Sequence, residues 1–198
     1  SAASDLMSTS FKANWSSVPT ATSYKLDISE TPFVAPSSAA WINEFHYANT
    51  GTDTNEFIEI VVPSGYAGTG LTLSLYNGNG GASYGTFLLS AMTAGSSNAS
   101  YTVYSVLTPG IQNGNPDGFA LTDNSGVIQF LSYGGTFAGA NGPATGVTSV
   151  DIGLAENNTT TAANSSIHLI STGDAYASFT WATSAGANTK GALNSGQT

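Results

Sequence analysis

The stretch Leu71-Thr-Leu-Ser-Leu-Tyr-Asn-Gly-Asn-Gly-Gly81 decides the fold class of this chain. Its leucines alternate with polar or amphipathic residues, which is the pattern of a strand with one buried face. The asparagines and glycines that follow adopt left-handed turn conformations at little steric cost. We therefore predict a strand over 71–76 that ends in a tight turn.

Similar patterns occur on both sides of this stretch. Residues 120–122 and 127–130 flank the turn Asp123-Asn-Ser-Gly126 and predict a β-hairpin. Further strands are predicted near 41–46, 57–62, 101–107, 167–170 and 177–182. No segment sustains the apolar period of a helix, and the connections are short for parallel crossovers. We therefore expect an all-β, immunoglobulin-like antiparallel sandwich.

The composition narrows the classes of function. The 198 residues include 12 acidic residues, only 3 lysines and arginines, and no cysteine, so the formal net charge is −9. This charge repels phosphate backbones and argues against direct binding of nucleic acid, whereas it would attract divalent cations or basic partners. The apolar runs are too short for membrane insertion. Few lysines beside many serines, threonines, asparagines and glycines favour a secreted or cell-surface bacterial protein.

The N-terminal part of the chain differs from the rest. Apolar residues alternate over 11–15 and again over 24–28, with a turn between them, which predicts a β-hairpin. Pro32 and Pro36 mark a domain boundary near residue 36, so we divide the chain into segments 1–36 and 37–198. Because an isolated hairpin is only marginally stable in water, we expect it to dock on the following domain.

Two parts of the chain resemble known protein families. Phe11-Lys-Ala-Asn-Trp15 followed by Ala21-Thr-Ser-Tyr-Lys-Leu-Asp-Ile28 resembles two strands, B and C, of a fibronectin type III domain, whose later strands are absent. The remainder resembles the bacterial lamin-tail domains attached to secreted endonucleases and surface proteins. The resemblance rests on an ordered series of segments, namely Trp41-Ile-Asn-Glu-Phe-His-Tyr47, Asn55-Glu-Phe-Ile-Glu-Ile60, Leu71-Thr-Leu-Ser-Leu-Tyr76, Gly114-Asn-Pro-Asp-Gly-Phe-Ala-Leu121, Val127-Ile-Gln-Phe-Leu-Ser-Tyr133, Phe179-Thr-Trp181 and Gly191-Ala-Leu-Asn-Ser-Gly-Gln197. It implies an immunoglobulin-like sandwich that is accessory to other domains.

One loop carries the residue types of a calcium site. Asn49, Asp53, Asn55 and Glu56 supply hard oxygen ligands at close spacing, which is what Ca²⁺ requires. The spacing is not that of an EF-hand. The alternative is that these residues cap the backbone of their own turn, as asparagine and aspartate commonly do.

The sequence offers no pattern of catalytic residues. His46 and His168 are the only histidines, and no Gly-x-Ser-x-Gly motif accompanies them. Glu44 and Glu59 are predicted to lie on adjacent strands and to accept turn or backbone hydrogen bonds, rather than to act as an acid–base pair. We therefore expect no enzymatic activity.

Two functions remain open. The first is a non-catalytic accessory module of a larger secreted or cell-surface protein, which binds other domains of the same polypeptide or components of the surface or matrix. The second is a calcium-assisted carbohydrate-binding module, in which exposed tyrosines would stack on sugar rings. The tyrosines concerned are Tyr76, Tyr84, Tyr101, Tyr104 and Tyr133, and the alternative is that they pack between strands.

Overall fold

The computed structural model describes residues 40–184 and 186–197, in which strands make up almost all of the regular secondary structure. The strands are β1 Trp41–His46, β2 Phe57–Pro63, β3 Thr72–Asn77, β4 Ala82–Leu88, β5 Thr93–Ser97, β6 Tyr101–Leu107, β7 Asp117–Asp123, β8 Gly126–Tyr133, β9 Val150–Asp151, β10 Ile167–Ile170 and β11 Thr180–Thr183. In this part of the chain no helix is long and apolar enough to span a bilayer. The predicted N-terminal hairpin and the boundary near residue 36 lie outside the described residues.

The strands form two sheets that pack face to face as a sandwich. The large sheet has the order β11-β10-β1-β2-β6-β5, and the small sheet has the order β4-β3-β7-β8-β9. Their inner faces enclose one hydrophobic core, in which Phe45 of β1 packs edge-on against Phe119 of β7 at 5.0 Å between ring centroids. The expected all-β, immunoglobulin-like sandwich is therefore confirmed.

The predicted strand positions agree with the structure in most places. The hairpin over 120–130 is present as β7 and β8, and the turn after Asn77 joins β3 to β4. The strand expected over 177–182 begins later, at Thr180. The reason is a 3₁₀ turn at Tyr176–Ser178, which brings Phe179 against Trp41 with 6.1 Å between ring centroids.

The expectation of purely antiparallel pairing is wrong at one edge of the small sheet. There β8 and β9 run parallel, with Leu131 paired to Val150. A parallel crossover is usually made by a helix, but here residues 134–149 make it as an irregular loop. This crossover loop buries Phe137 and Ala144 against Tyr76 and Phe130. That apolar contact holds it in place together with hydrogen bonds, such as the one from Ala144 N to Tyr76 Oη at 2.8 Å.

Side chains that alternate with core residues point to the outer face of a sheet, yet several of them are buried here. Phe45 lies in the core, whereas its neighbours Glu44 and His46 point outward and are nevertheless 0% exposed. Two segments cover them: the loop 152–166, and residues 186–197, which we call the C-terminal strap. The outer face of β1 and β2 is therefore covered by chain, not by solvent.

Candidate functional site

Three loops meet at one end of the sandwich, which we call the loop end. They connect β1 to β2 (47–56), β6 to β7 (108–116) and β9 to β10 (152–166). Backbone hydrogen bonds join them, from Thr50 N to Thr161 O at 2.9 Å and from Thr108 N to Glu56 O at 3.1 Å. All four residues of the predicted calcium site lie in the first loop.

His46 and Glu156 form a buried pair at the loop end. Nδ1 of His46 lies 2.7 Å from Oε1 of Glu156, and its Nε2 lies 3.3 Å from Oδ1 of Asn49. The orientation of the Asn49 amide is defined, because its Nδ2 donates to the carbonyls of Thr50 and Thr52. Both ring nitrogens therefore face acceptors, which suits the doubly protonated imidazolium.

The surroundings of His46 act on its pKa in opposite directions. Burial by itself lowers the pKa, but the hydrogen bond and the negative charge of Glu156 outweigh burial and raise the pKa above its ordinary 6.5. The contribution of this pair to stability is thus fully present below pH 6.5 and is lost as the pH rises through the raised pKa.

Glu156 also fixes the backbone that follows β1. Its Oε2 accepts hydrogen bonds from Tyr47 N at 2.6 Å and from Ala48 N at 3.0 Å. In return, Glu156 N donates to the Tyr47 hydroxyl at 2.7 Å. Sequence reasoning did not single out Glu156. Its only signal is that it is the sole acidic residue between Asp151 and Asp174.

The structure places the predicted calcium ligands together in the loop but gives each a different protein partner. Asn49 Oδ1 accepts from Thr54 N at 2.8 Å, while the Glu56 carboxylate accepts from the backbone of 110–111, at 2.8 Å for each oxygen. Asn55 donates to Ala163 O at 3.5 Å. In the described residues no group of three His, Asp or Glu side chains converges on a metal position. Calcium binding stays a prediction.

Two of these four residues carry a charge, and Asp53 is more accessible to solvent than the buried Glu56. Its Oδ1 accepts from Asn49 N at 2.8 Å and from Asn158 Nδ2 at 2.7 Å, and its Oδ2 accepts from Asn113 Nδ2 at 2.7 Å. Asp53 therefore ties the three loops together from the solvent side. Asn113 and Asn158 were missed in the sequence, because nothing local relates residues so far apart.

Glu44 and Glu59 confirm their predicted structural role. They are direct cross-strand partners on β1 and β2, and both are buried. Glu44 Oε1 accepts from Thr189 N at 2.9 Å, and Glu59 Oε2 accepts from Gly191 N at 2.6 Å. Burial, with the neighbouring charge of Glu44, raises the pKa of Glu59 to about 8, although hydrogen bonds from Asn43 and Gly191 and the charge of Lys190 oppose the shift.

Amide side chains complete the attachment of the C-terminal strap. Gln197 Nε2 donates to Asn43 Oδ1 at 2.5 Å, and Asn194 Nδ2 donates to the carbonyl of Leu169 at 3.0 Å. The strap reaches the edge strand β5 as well, where Ser96 N donates to Gly191 O at 2.8 Å. It therefore crosses the large sheet from β10 to β5.

The tyrosines are mostly core and packing residues. Tyr76, Tyr101 and Tyr133 are at most 3% exposed, so for them the packing interpretation is confirmed. Tyr84 is 37% exposed and its hydroxyl accepts a hydrogen bond from Gln112 N at 3.0 Å. These five tyrosines do not form a single exposed stacking face.

Fewer acidic side chains reach the surface than the net charge of −9 suggests. Of the 12 acidic residues, 9 lie in the described part of the chain, and 5 of those are buried, namely Glu44, Glu56, Glu59, Asp117 and Glu156. Each of the five accepts at least one backbone hydrogen bond. Over half of the described acids are therefore structural, and attraction of cations rests on the remaining four.

A polar pocket of about 510 Å³ opens beside the loop end. Its walls are the loop 155–166 and the chain at the end of β11, and they consist of hydroxyl, amide and small side chains together with Glu156.

No protein-family model matches the chain, and no curated protein or solved structure is significantly similar to it. The lamin-tail resemblance stays a prediction.

Proposed function

We propose that this chain is a non-catalytic interaction module of a larger secreted or cell-surface bacterial protein, and that the loop end is its contact surface. The module would hold or position a neighbouring catalytic or adhesive domain, or attach it to a surface component. The resemblance to lamin-tail domains supports the same role, because those domains accompany nucleases and surface proteins.

The observation that carries the proposal is the use of the buried ionisable groups. His46, Glu56, Asp117 and Glu156 are the buried groups at the loop end that could do acid–base chemistry, and each is engaged in hydrogen bonds that order a loop. A general acid or base needs a free lone pair or proton directed at a substrate. Groups committed to backbone donors instead build a rigid platform, which suits a binding surface.

The proposal can be tested on the whole protein that contains this chain. Deletion of residues 37–198 should reduce retention of that protein on its cell surface, while turnover of a small soluble substrate by any attached catalytic domain stays unchanged. Replacing the exposed loop-end residues Thr52 and Thr54 with lysine should reduce retention in the same way. The matched control is Thr180→Lys, which changes an equally exposed threonine on the edge strand β11.

Two outcomes would overturn the proposal. One is unchanged retention after deletion. The other is a hydrolytic activity of the isolated module that disappears in His46→Gln or Glu59→Gln while the fold, monitored by circular dichroism, is retained.

A further inference from the structure

The pocket beside the loop end has walls of unusually uniform chemistry. Hydroxyl side chains predominate, and the amides of Asn157 and Asn164 lie among them. Among the lining residues that the structure describes, Glu156 is the one that is ionisable, and its carboxylate is already bound by His46 Nδ1 and by the backbone of 47–48. The pocket therefore presents polar groups without a free charge.

Of the six hydroxyl groups among the described lining residues, four donate their hydrogens within the protein, and one of these is Ser166 Oγ, which donates to Glu44 Oε1 at 2.6 Å. Thr160 Oγ1 donates to Asn157 Oδ1 at 3.0 Å, Ser165 Oγ donates to Ala162 O at 2.7 Å, and Ser184 Oγ donates to Gly186 O at 3.1 Å. Each of these four hydroxyls has one hydrogen, so what it offers a ligand is a lone pair. A ligand that fits must bring several hydrogen-bond donors of its own.

The pocket is held open by bonds on both sides of its wall. The carbonyl of Thr161 accepts from Thr50 N at 2.9 Å, and the carbonyl of Asn164 accepts from Asn188 N at 2.7 Å. These contacts tie the loop 155–166 to the first loop of the loop end and to the C-terminal strap. A ligand would therefore meet a preformed site and would not need to order the loop, which favours binding.

We infer that this pocket is a binding site for a neutral saccharide of one or two rings. Such a ligand carries many O–H donors and no charge, and a pocket of about 510 Å³ is in the size range of small-molecule sites. The described residues of the lining include no aromatic side chain, so recognition would depend on hydrogen bonds and not on stacking. The inference rests on the proposed interaction module and names its ligand class.

The test is an NMR titration of the ¹⁵N-labelled chain with neutral sugars at millimolar concentration, namely glucose, mannose, N-acetylglucosamine, cellobiose and maltose. At least one sugar should shift amide signals confined to residues 155–166 and 183–186. Thr183→Val, which removes an exposed lining hydroxyl and preserves the β-branched shape, should weaken that affinity by about threefold to tenfold, the effect of one hydrogen bond. Thr180→Val on the same strand is the matched control and should leave the affinity unchanged.

Several outcomes would overturn the inference. These are the absence of shifts with every sugar, shifts confined to another surface, or equal affinity in wild type and Thr183→Val. Repeating the titration in EDTA separates this site from the calcium-assisted alternative, since an affinity that requires calcium would contradict a charge-free pocket. If no sugar binds while the whole protein is still retained on its cell surface, the saccharide site is ruled out and the proposed interaction module still stands. If Thr52→Lys alone reduces surface retention, that result concerns only the contact surface at the loop end.

Discussion

The two sheets of this sandwich both have outer faces that other segments of the chain cover, but only the large-sheet covers are attached through ionisable groups. On the small sheet, the crossover loop 134–149 contains no ionisable residue and packs through Phe137 against Phe130, at 5.2 Å between ring centroids. On the large sheet, the loop 152–166 and the C-terminal strap are attached through the buried acids Glu156, Glu44 and Glu59. The small-sheet cover is held by apolar contacts and by uncharged hydrogen bonds, such as the one from Tyr76 Oη to Asn141 O at 2.9 Å. The large-sheet covers also make apolar contacts, such as that of Leu193 with the cluster around Trp41, but they add buried ionisable groups.

This difference predicts which parts of the molecule respond to a change in pH. Apolar contacts in the crossover loop keep the same strength across ordinary pH values. The groups under the large-sheet covers do not, because both His46 and Glu59 have raised pKa values. For both groups stability is present below the ordinary pKa and is lost as the pH rises through the raised one. Alkaline pH should therefore weaken the large-sheet covers selectively.

The largest expected effect comes from removing Glu156. Glu156→Ala leaves the buried donors His46 Nδ1, Tyr47 N and Ala48 N without their acceptor, and should lower the free energy of unfolding by about 3–5 kcal/mol. Urea unfolding followed by tryptophan fluorescence measures this loss. Asp174→Asn, at an exposed acid, is the control and should change stability by less than about 0.5 kcal/mol. If Glu156→Ala lost as little stability as the control, the large-sheet cover would not depend on this buried acid, and the contrast between the two covers would be wrong.

The next effect concerns the apolar cover. Phe137→Ala removes a ring that is 9% exposed and should lower the free energy of unfolding by about 3 kcal/mol, through lost burial and the cavity left behind. The loss should be the same at acidic and alkaline pH, because no ionisable side chain lies in the crossover loop. Urea unfolding at several pH values measures it. A loss that grows with pH would show that the two covers are not chemically distinct.

A smaller effect sharpens the role of Glu59. The groups facing its carboxylate are Glu44 on β1 and Lys190 on the strap, and the pKa of about 8 means that wild-type stability falls as the pH rises from 4.5 through 8. Glu59→Gln stays neutral, so at alkaline pH it should be more stable than wild type by on the order of 2 kcal/mol. Thermal melts between acidic and alkaline pH measure this. Parallel pH profiles of the two proteins would contradict the assignment, and His46 accounts for any slope that remains in the variant.

The smallest effect tests the calcium prediction at the solvent side of the loop end. If Asp53 and its loop bind Ca²⁺, millimolar calcium should stabilise the wild type by roughly 1–2 kcal/mol through mass action, and EDTA should reverse the gain. Asp53→Asn preserves the side-chain shape and should abolish the response. Identical melting curves of the wild type with and without calcium would remove the metal from the account of this loop.

Local turn chemistry explains which parts of the fold could be predicted. The β7–β8 hairpin was predicted because Asp123-Asn-Ser-Gly126 is flanked by alternating apolar residues. Strands β4 and β5 were missed because the segment 82–97 is rich in small and polar residues with little alternation. Those strands form because β3 and β6 offer edges to pair with, and that cause is not written in their own sequence.

The residues of the candidate site also fall into those that the sequence predicted and those that it did not. The structural role of Glu44 and Glu59 was predictable, because each alternates with core residues on a strand. Glu156 was not, because it lies in a loop without periodicity and its partner His46 is 110 residues away. The cover over His46 was not predictable either, since the direction of a side chain is set locally while its cover comes from distant chain.

The hydrogen bond between Asn43 and Gln197 joins residues separated by 154 positions, and it has a consequence for synthesis on the ribosome. The domain has high contact order, so β1 and β2 emerge long before the strap that covers them. During that interval Glu59 interrupts the otherwise apolar strand β2, and Glu44 lies beside it on β1, so both charges discourage these strands from pairing with other nascent chains, as gatekeeper residues do. The same two carboxylates thus protect the growing chain first and anchor the strap afterwards.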